Sequence, residues 1–185
     1  MKVSKVNIEG LLLIETDFFG DDRGYFYESY NKQKYDKIGI NFDFVQDNIS
    51  KSVKETIRGL HYQVGDKAQG KLCQVIKGKV LDVVVDIRFD SPTFGKHFSI
   101  ELSENDKTQL WIPPGFAHGF SVLSDEAIFS YKCTNFFSQP DERTILYNDP
   151  DLNVDWKVLN PIVSEKDLKA KSFKDIENDF VYLPL

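Results

Sequence analysis

Lys71-Leu72-Cys73-Gln74-Val75-Ile76-Lys77-Gly78-Lys79-Val80-Leu81-Asp82-Val83-Val84-Val85-Asp86-Ile87-Arg88 reads as two strands separated by a tight turn. β-branched residues crowd the second half, and such side chains suit a pleated sheet. Gly78 supplies the positive φ that a sharp reversal needs, so 77–78 is expected to close a hairpin. Side chains alternate across a strand, which puts Lys71 on one face with Cys73 and Val75. A lysine aligned with apolar partners is expected to point into a barrel rather than toward bulk water.

Working outward, strand signals recur at 11–15, 24–30, 42–48 and 56–62, and again at 98–102, 109–112, 118–123 and 127–134. Gly20-Asp21-Asp22, Ser91-Pro92-Thr93 and Pro113-Pro114-Gly115 carry turn chemistry between them. Short strands at such spacing argue for an antiparallel sandwich or barrel. Helical pattern is confined to 32–38 and 164–171. No repeat or linker divides the 185 residues, so one all-β domain over 1–185, with short helices and a C-terminal helical annex, is the economical expectation.

Aromatics at 14%, with 15 Phe and 8 Tyr, suit a folded, sheet-rich protein. A formal net charge of −6 argues against nonspecific nucleic-acid binding. No apolar run is long enough to cross a bilayer and no signal-type core follows Met1, so a cytoplasmic protein is expected. Cys73 and Cys133 make neither a disulfide framework nor a Cys-x-x-Cys pair, and each is expected to pack as a small apolar group. An acidic protein that binds an anion must gather its cations locally; Arg23, Arg58, Lys71 and Lys166 stand beside unusual residues rather than in charge runs.

Three histidines are present: His61 within Arg58-Gly59-Leu60-His61-Tyr62-Gln63, His118 within Pro113-Pro114-Gly115-Phe116-Ala117-His118-Gly119-Phe120, and His97 with no such setting. A strand histidine beside a fixed cation suits proton transfer on an anionic substrate. Spacing leaves the alternative of two satisfied core histidines open. Tyr131 shares a face with Ala127, Phe129 and Cys133, either as a core hydroxyl or as a proton donor. Together His61, Lys71, His118 and Tyr131 place four polar groups on inward strand positions, as a ligand pocket in a barrel mouth requires.

Competing chemistries lack their residues. Gln63 stands where a second metal-binding histidine would follow His61, and no acid follows at ligand spacing, so no metal is expected. Gly-x-Ser-x-Gly, a Cys beside a His, a dinucleotide fingerprint and a phosphate loop are all missing, so no cofactor is expected either. What remains is acid–base work by His61, a cation for developing negative charge, and Tyr131 as donor, which suits proton abstraction beside a carbonyl through an enolate. Asp167 in Ser164-Glu165-Lys166-Asp167 is a candidate to orient the histidine, although Ser-x-x-Asp is also a helix capping box.

A series of ordered motifs then carries a resemblance. Asp22-Arg23-Gly24-Tyr25-Phe26-Tyr27-Glu28, Gln46-Asp47-Asn48-Ile49-Ser50, Arg58 to Gln63, Gln69-Gly70-Lys71-Leu72 and Asp82 to Arg88 form its first half. Ser91 to Gly95, Ile112 to Phe120, Tyr131-Lys132, Asn148-Asp149-Pro150 and Ser164 to Asp167 complete it. Over essentially its whole length the chain resembles the dTDP-4-dehydrorhamnose 3,5-epimerase family. That resemblance implies a cupin-type β-barrel or jelly roll, usually a homodimer, that needs neither metal nor nicotinamide. It implies inversion of C3 and C5 in dTDP-4-dehydro-6-deoxy-D-glucose to give dTDP-4-dehydro-L-rhamnose. His61 would be the base, Asp167 its orienting carboxylate, Tyr131 the acid, and Lys71 the cation for the enolate. Ligand-holding roles are implied for Arg23, Glu28, Gln46, Asp47, Asn48, Arg58, Lys71, His118, Glu142 and Lys166. Some relatives invert one carbon or act on other nucleotide-linked 4-keto sugars, and Tyr131 favours the two-centre reaction. A non-catalytic sugar-nucleotide-binding barrel would not need His61, Lys71 and Tyr131 together.

Overall fold

Every residue from Val80 to Asp86 is buried, so this strand must be covered on both faces. The computed structural model, which describes residues 1–184, has the layers to do so. In chain order come β1 (Lys2–Lys5), β2 (Leu12–Glu15), β3 (Phe18–Asp21), β4 (Gly24–Tyr27), α1 (Lys32–Asp36), β5 (Gln46–Val53), β6 (Ile57–Gln63) and β7 (Lys71–Lys77). Then follow β8 (Lys79–Asp86), β9 (His97–Ser103), β10 (Thr108–Ile112), β11 (Phe116–Val122), β12 (Glu126–Cys133), β13 (Glu142–Thr144) and α2 (Glu165–Leu168).

Two antiparallel sheets face each other, one ordered β1-β2-β10-β7-β12-β5 and the other β13-β6-β11-β8-β9, while β3 and β4 form a separate hairpin. Between the sheets lies a core that includes Cys73, Val75, Val80, Val84, Phe120 and Phe129. On the outer face of the five-stranded sheet, Leu81, Val83, Val85 and Ile87 pack under Leu152, Trp156, Phe173 and Phe180 of the C-terminal segment. Tyr35 of α1 and Ile40 cover Leu72 and Trp111 on the outside of the other sheet. No helix among the described residues is long and apolar enough to cross a membrane.

The hairpin expected at 77–78 is corrected. The chain does reverse at Gly78 (φ +80°). However, β7 pairs with β10 and β12, while β8 pairs with β11 and β9. The turn is a sandwich corner that carries the chain from one sheet to the other. Its glycine is required by packing as well, because a Cβ there would lie 2.1 Å from the Glu126 carbonyl oxygen.

Lys71 and Tyr131 do take the faces expected of them: Cys73, Val75, Ala127, Phe129 and Cys133 are all buried alongside. The expected helical annex holds one helical turn, α2, and a 3-10 turn over Phe173–Asp175. Its remainder is extended chain, tied to the barrel by single bridges from Ile162 to Thr56, Lys171 to Ile145 and Val181 to Phe89.

Candidate active site

Arg58 and His61 are three residues apart, and in a regular strand they would face opposite ways. β6 carries a bulge that cancels this offset. Its ladder with β11 pairs His118 with His61 and Phe120 with Arg58, so three steps along β6 match two along β11. Ile57, Leu60, Tyr62 and Val64 consequently all pack in the outer core, leaving Arg58, His61 and Gln63 to the inner face. Two glycines permit the distortion. Gly59 has φ +127°, and a Cβ on it would sit 2.5 Å from Gly119 Cα; one on Gly119 would sit 2.6 Å from the Arg58 carbonyl oxygen.

His61 opens into a cavity of about 310 Å³ at one end of the barrel, lined also by Gln46, Asn48, Lys71, Tyr131 and Glu142. Its Nε2 lies 2.7 Å from Asp167 Oδ1, and the Gly59 N–H, set free by the bulge, donates to Asp167 Oδ2 at 3.4 Å. Asp167 is 3% exposed. Burial pushes its carboxyl up, but the His61 hydrogen bond and charge, with the Gly59 and Ser164 contacts, outweigh that and hold it below the usual carboxylate range. Both readings of Ser164-x-x-Asp167 hold at once. The Asp167 backbone N–H donates to Ser164 Oγ and caps α2, while its carboxylate goes to His61.

Lys71 Nζ donates to the His61 carbonyl oxygen at 3.3 Å, keeping the cation beside the base strand. Burial, reinforced by the Cys133 and Cys73 thiols, pushes the Tyr131 hydroxyl up to about 12, only partly offset by Arg58. At neutral pH it is therefore a proton donor. With Asp167 on Nε2, the Nδ1 of His61 is left to accept a proton. A base, an acid and a cation share one polar cavity, which is the equipment for deprotonating and reprotonating carbon beside a carbonyl.

The other expected ligand residues are dispersed. Gln46, Asn48 and Glu142 line the cavity, and Lys166 on α2 pairs with Glu142 at 2.5 Å on its rim. Arg58 donates to Ser52 Oγ at 2.9 Å. Asp47, one step out of phase with Gln46 and Asn48, turns to the outer face and accepts from Lys132 at 2.9 Å. His118 is buried inside the barrel with Nε2 3.0 Å from Asp82 Oδ1. Arg23 lies on the exposed β3–β4 hairpin paired with Asp21, and Glu28 pairs with Lys34. Neither lines the cavity of its own chain.

Sequence reading missed Tyr62, Gln63, Gln69 and Phe137 in the cavity wall. Gln63 is the most informative of these, because it donates to the Lys67 and Phe136 carbonyls at 2.7 and 3.1 Å and accepts from Ser138 N at 2.6 Å. Its two-residue spacing from His61 placed it on the same face, and that parity was the available signal. Asp82 was hidden, because its partner His118 comes from another strand.

Fold and site together define an acid–base isomerase built in a cupin-like antiparallel barrel. A family profile described as dTDP-4-dehydrorhamnose 3,5-epimerase matches residues 5–175. The chain belongs to that family. It is 51% identical over 178 residues to the dTDP-4-dehydrorhamnose 3,5-epimerase of Shigella flexneri, covering 96% of this chain and 98% of that one. Among solved structures, the dTDP-6-deoxy-D-glucose-3,5-epimerase of Legionella pneumophila in complex with dTDP-4-keto-L-rhamnose superposes with a TM-score of 0.95 at 45% identity, over 99% of both chains. A 3′-monoepimerase of Streptomyces bikiniensis in complex with dTDP-quinovose is a more distant likeness, at 29% identity, a TM-score of 0.86, and coverage of 91% and 86%.

Proposed function

We propose that the protein is a dTDP-4-dehydrorhamnose 3,5-epimerase, acting on dTDP-4-dehydro-6-deoxy-D-glucose. The observation that carries this reading is the 2.7 Å His61–Asp167 pair facing the same cavity as Lys71 and Tyr131. Asp167 holds the Nε2 proton and turns Nδ1 to the sugar. Nδ1 takes the proton from a carbon beside the C4 ketone, and the C–H electron pair moves to the ketone oxygen. Lys71 meets the oxyanion so formed. Tyr131 returns a proton to the opposite face, which inverts the centre, and solvent then reprotonates Tyr131 as His61 gives up its own proton. C3 and C5 both flank the ketone, so the same groups serve each in turn.

Residues 1–185 work as one domain in this reading, in the cytoplasm, where two free thiols, Cys73 and Cys133, stay reduced. The working unit is a homodimer. Phe18, Phe19, Tyr25 and Phe26 stand 48–68% exposed on the β3–β4 hairpin, and an apolar surface of that kind calls for cover. A second copy docked there would carry Arg23 and Glu28 to a cavity they do not reach in their own chain.

The test is turnover of the dTDP-4-keto-6-deoxy sugar in D₂O, followed by NMR of the product. Deuterium at both C3 and C5 with both centres inverted is the expected result. Label and inversion at one centre would assign a mono-epimerase, and no label at either would leave only a binding barrel.

A further inference from the structure

Cys73 on β7, Asp82 on β8 and His118 on β11 converge inside the barrel, with sulfur, carboxylate and imidazole ligand atoms all within 4.8 Å of one another. Cys73 and Asp82 are fully buried and His118 is 7% exposed. Asp82 Oδ1 lies 3.0 Å from His118 Nε2, but Oδ2 has no hydrogen-bond partner among the described residues. A carboxylate oxygen left bare in an apolar core is costly, and a ligand that satisfied it would be welcome there.

Thiolate, imidazole and carboxylate are the donors that Zn²⁺ selects, at about 2.0–2.3 Å. Bonds of that length draw the ligand atoms together from their present spacing, and one thiolate, one carboxylate and a dication sum to zero charge. We propose that Cys73, Asp82 and His118 form an inhibitory binding site for a thiophilic divalent cation such as Zn²⁺. On binding, Cys73 Sγ loses its proton to solvent and His118 shifts its proton from Nε2 to Nδ1, freeing the Nε2 lone pair for the ion. No electrons change hands. Burial holds the Cys73 thiol well above its ordinary value, so the ion must displace that proton as it binds. Inhibition rests on the epimerase reading: His118 pairs with His61 across the β6–β11 ladder, and an ion that draws His118 toward Cys73 and Asp82 shifts the strand against which His61 is held. Spacing along the chain does not reveal the trio, because three strands contribute one ligand each.

The experiment begins with chelator-stripped protein titrated with Co²⁺, whose bond to a thiolate gives a near-ultraviolet charge-transfer band. One equivalent per chain should develop the band in the parent protein and in Cys133→Ser. Cys73→Val, apolar and suited to a strand, should lose it, as should Cys73→Ser, which keeps the shape and removes the sulfur. With substrate present, Zn²⁺ should stop the parent enzyme progressively and EDTA should restore it. Cys73→Val should keep its basal turnover and tolerate at least about 10-fold more Zn²⁺, since loss even of an outer contact to a metal site costs that much. Absence of the band in the parent, or its persistence in Cys73→Val, overturns the site. A Cys73-dependent band with turnover untouched by Zn²⁺ overturns the inhibition. Failure of every preparation to turn over the sugar would count against the epimerase reading instead, with the Co²⁺ spectrum still deciding the site.

Discussion

At the scale of single residues, the chemistry depends on which nitrogen of His61 is occupied. Asp167 takes Nε2 at 2.7 Å, so in the proposed mechanism His61→Asn removes the base that accepts the carbon-bound proton. Turnover and solvent deuterium uptake should fall together by about 10²- to 10⁴-fold, measured by NMR of the sugar; near-normal uptake would remove His61 from the mechanism. Lys71 and Tyr131 should fail differently. Tyr131→Phe loses the donor whose burial holds its hydroxyl near 12, so it should still exchange substrate protons with D₂O while making little inverted product. Lys71→Ala leaves the oxyanion without its cation and should suppress exchange and product alike, by roughly 3–4 kcal/mol of barrier. Identical defects in both variants would mean that Tyr131 is not the acid. These residues were legible because each belongs to a quoted motif or breaks the apolar pattern of its strand. The partner of His118 was not, since Asp82 sits within an apolar run and its role depends on which strand lies beside it.

Among the elements, β6 is the one whose irregularity makes the site. Gly59→Ala would force a Cβ to within 2.8 Å of the His118 carbonyl oxygen at a φ of +127°. Strain of this kind costs about 1–3 kcal/mol, and relieving it shifts β6 against β11 beside His61. Lowered melting temperature together with lost turnover is expected, and a variant that kept full turnover would show that the bulge does not position the base. Strand alternation cannot announce a bulge, so the sequence placed Arg58 beside His61 without saying how both reach one face. The same limit explains the corner at Gly78: a tight turn is legible, but whether its two strands pair depends on their neighbours. Four-residue β1 and β3 and three-residue β13 leave at most two turns of a period-2 pattern, and polar or glycine residues interrupt each of them. The actual β5 continues to Val53 through Ser50, Lys51 and Ser52, polar residues that an edge strand tolerates and a propensity reading passes over.

For the molecule as a whole, stability has an acid-sensitive anchor at the end of β8. Asp86 is fully buried and accepts hydrogen bonds from Arg88, Ser91 and Thr93. Burial pushes its carboxyl up, but Arg88, Thr93 and Ser91 outweigh it and hold the value below 3.8. A depressed folded value stabilises above the ordinary carboxylate range and loses that contribution as pH falls through the lowered value. Asp86→Asn should therefore be less stable at pH 7, by about 1.5–3 kcal/mol, and should lose less on acidification below pH ~4 than the parent does. Parallel acid slopes in thermal melts would contradict this. The proposed dimer supplies a second check, because Phe19→Asp with Phe26→Asp should then sediment as monomers and weaken substrate binding. A dimer that survived both changes would move the interface elsewhere. The all-β architecture was legible from strand spacing and turn chemistry, whereas the division into two sheets and the strapping by extended chain arise from contacts between distant segments.

The bulge in β6 also gives the site a built-in reporter. Because the Gly59 N–H leaves the ladder and points at Asp167 Oδ2, its amide resonance senses the charge on that carboxylate directly. Glycine amides fall in a sparsely populated part of a nitrogen–proton correlation spectrum. One isotope-labelled signal, at a residue that takes no part in the reaction, can thus follow the protonation of the base and its partner in the intact enzyme.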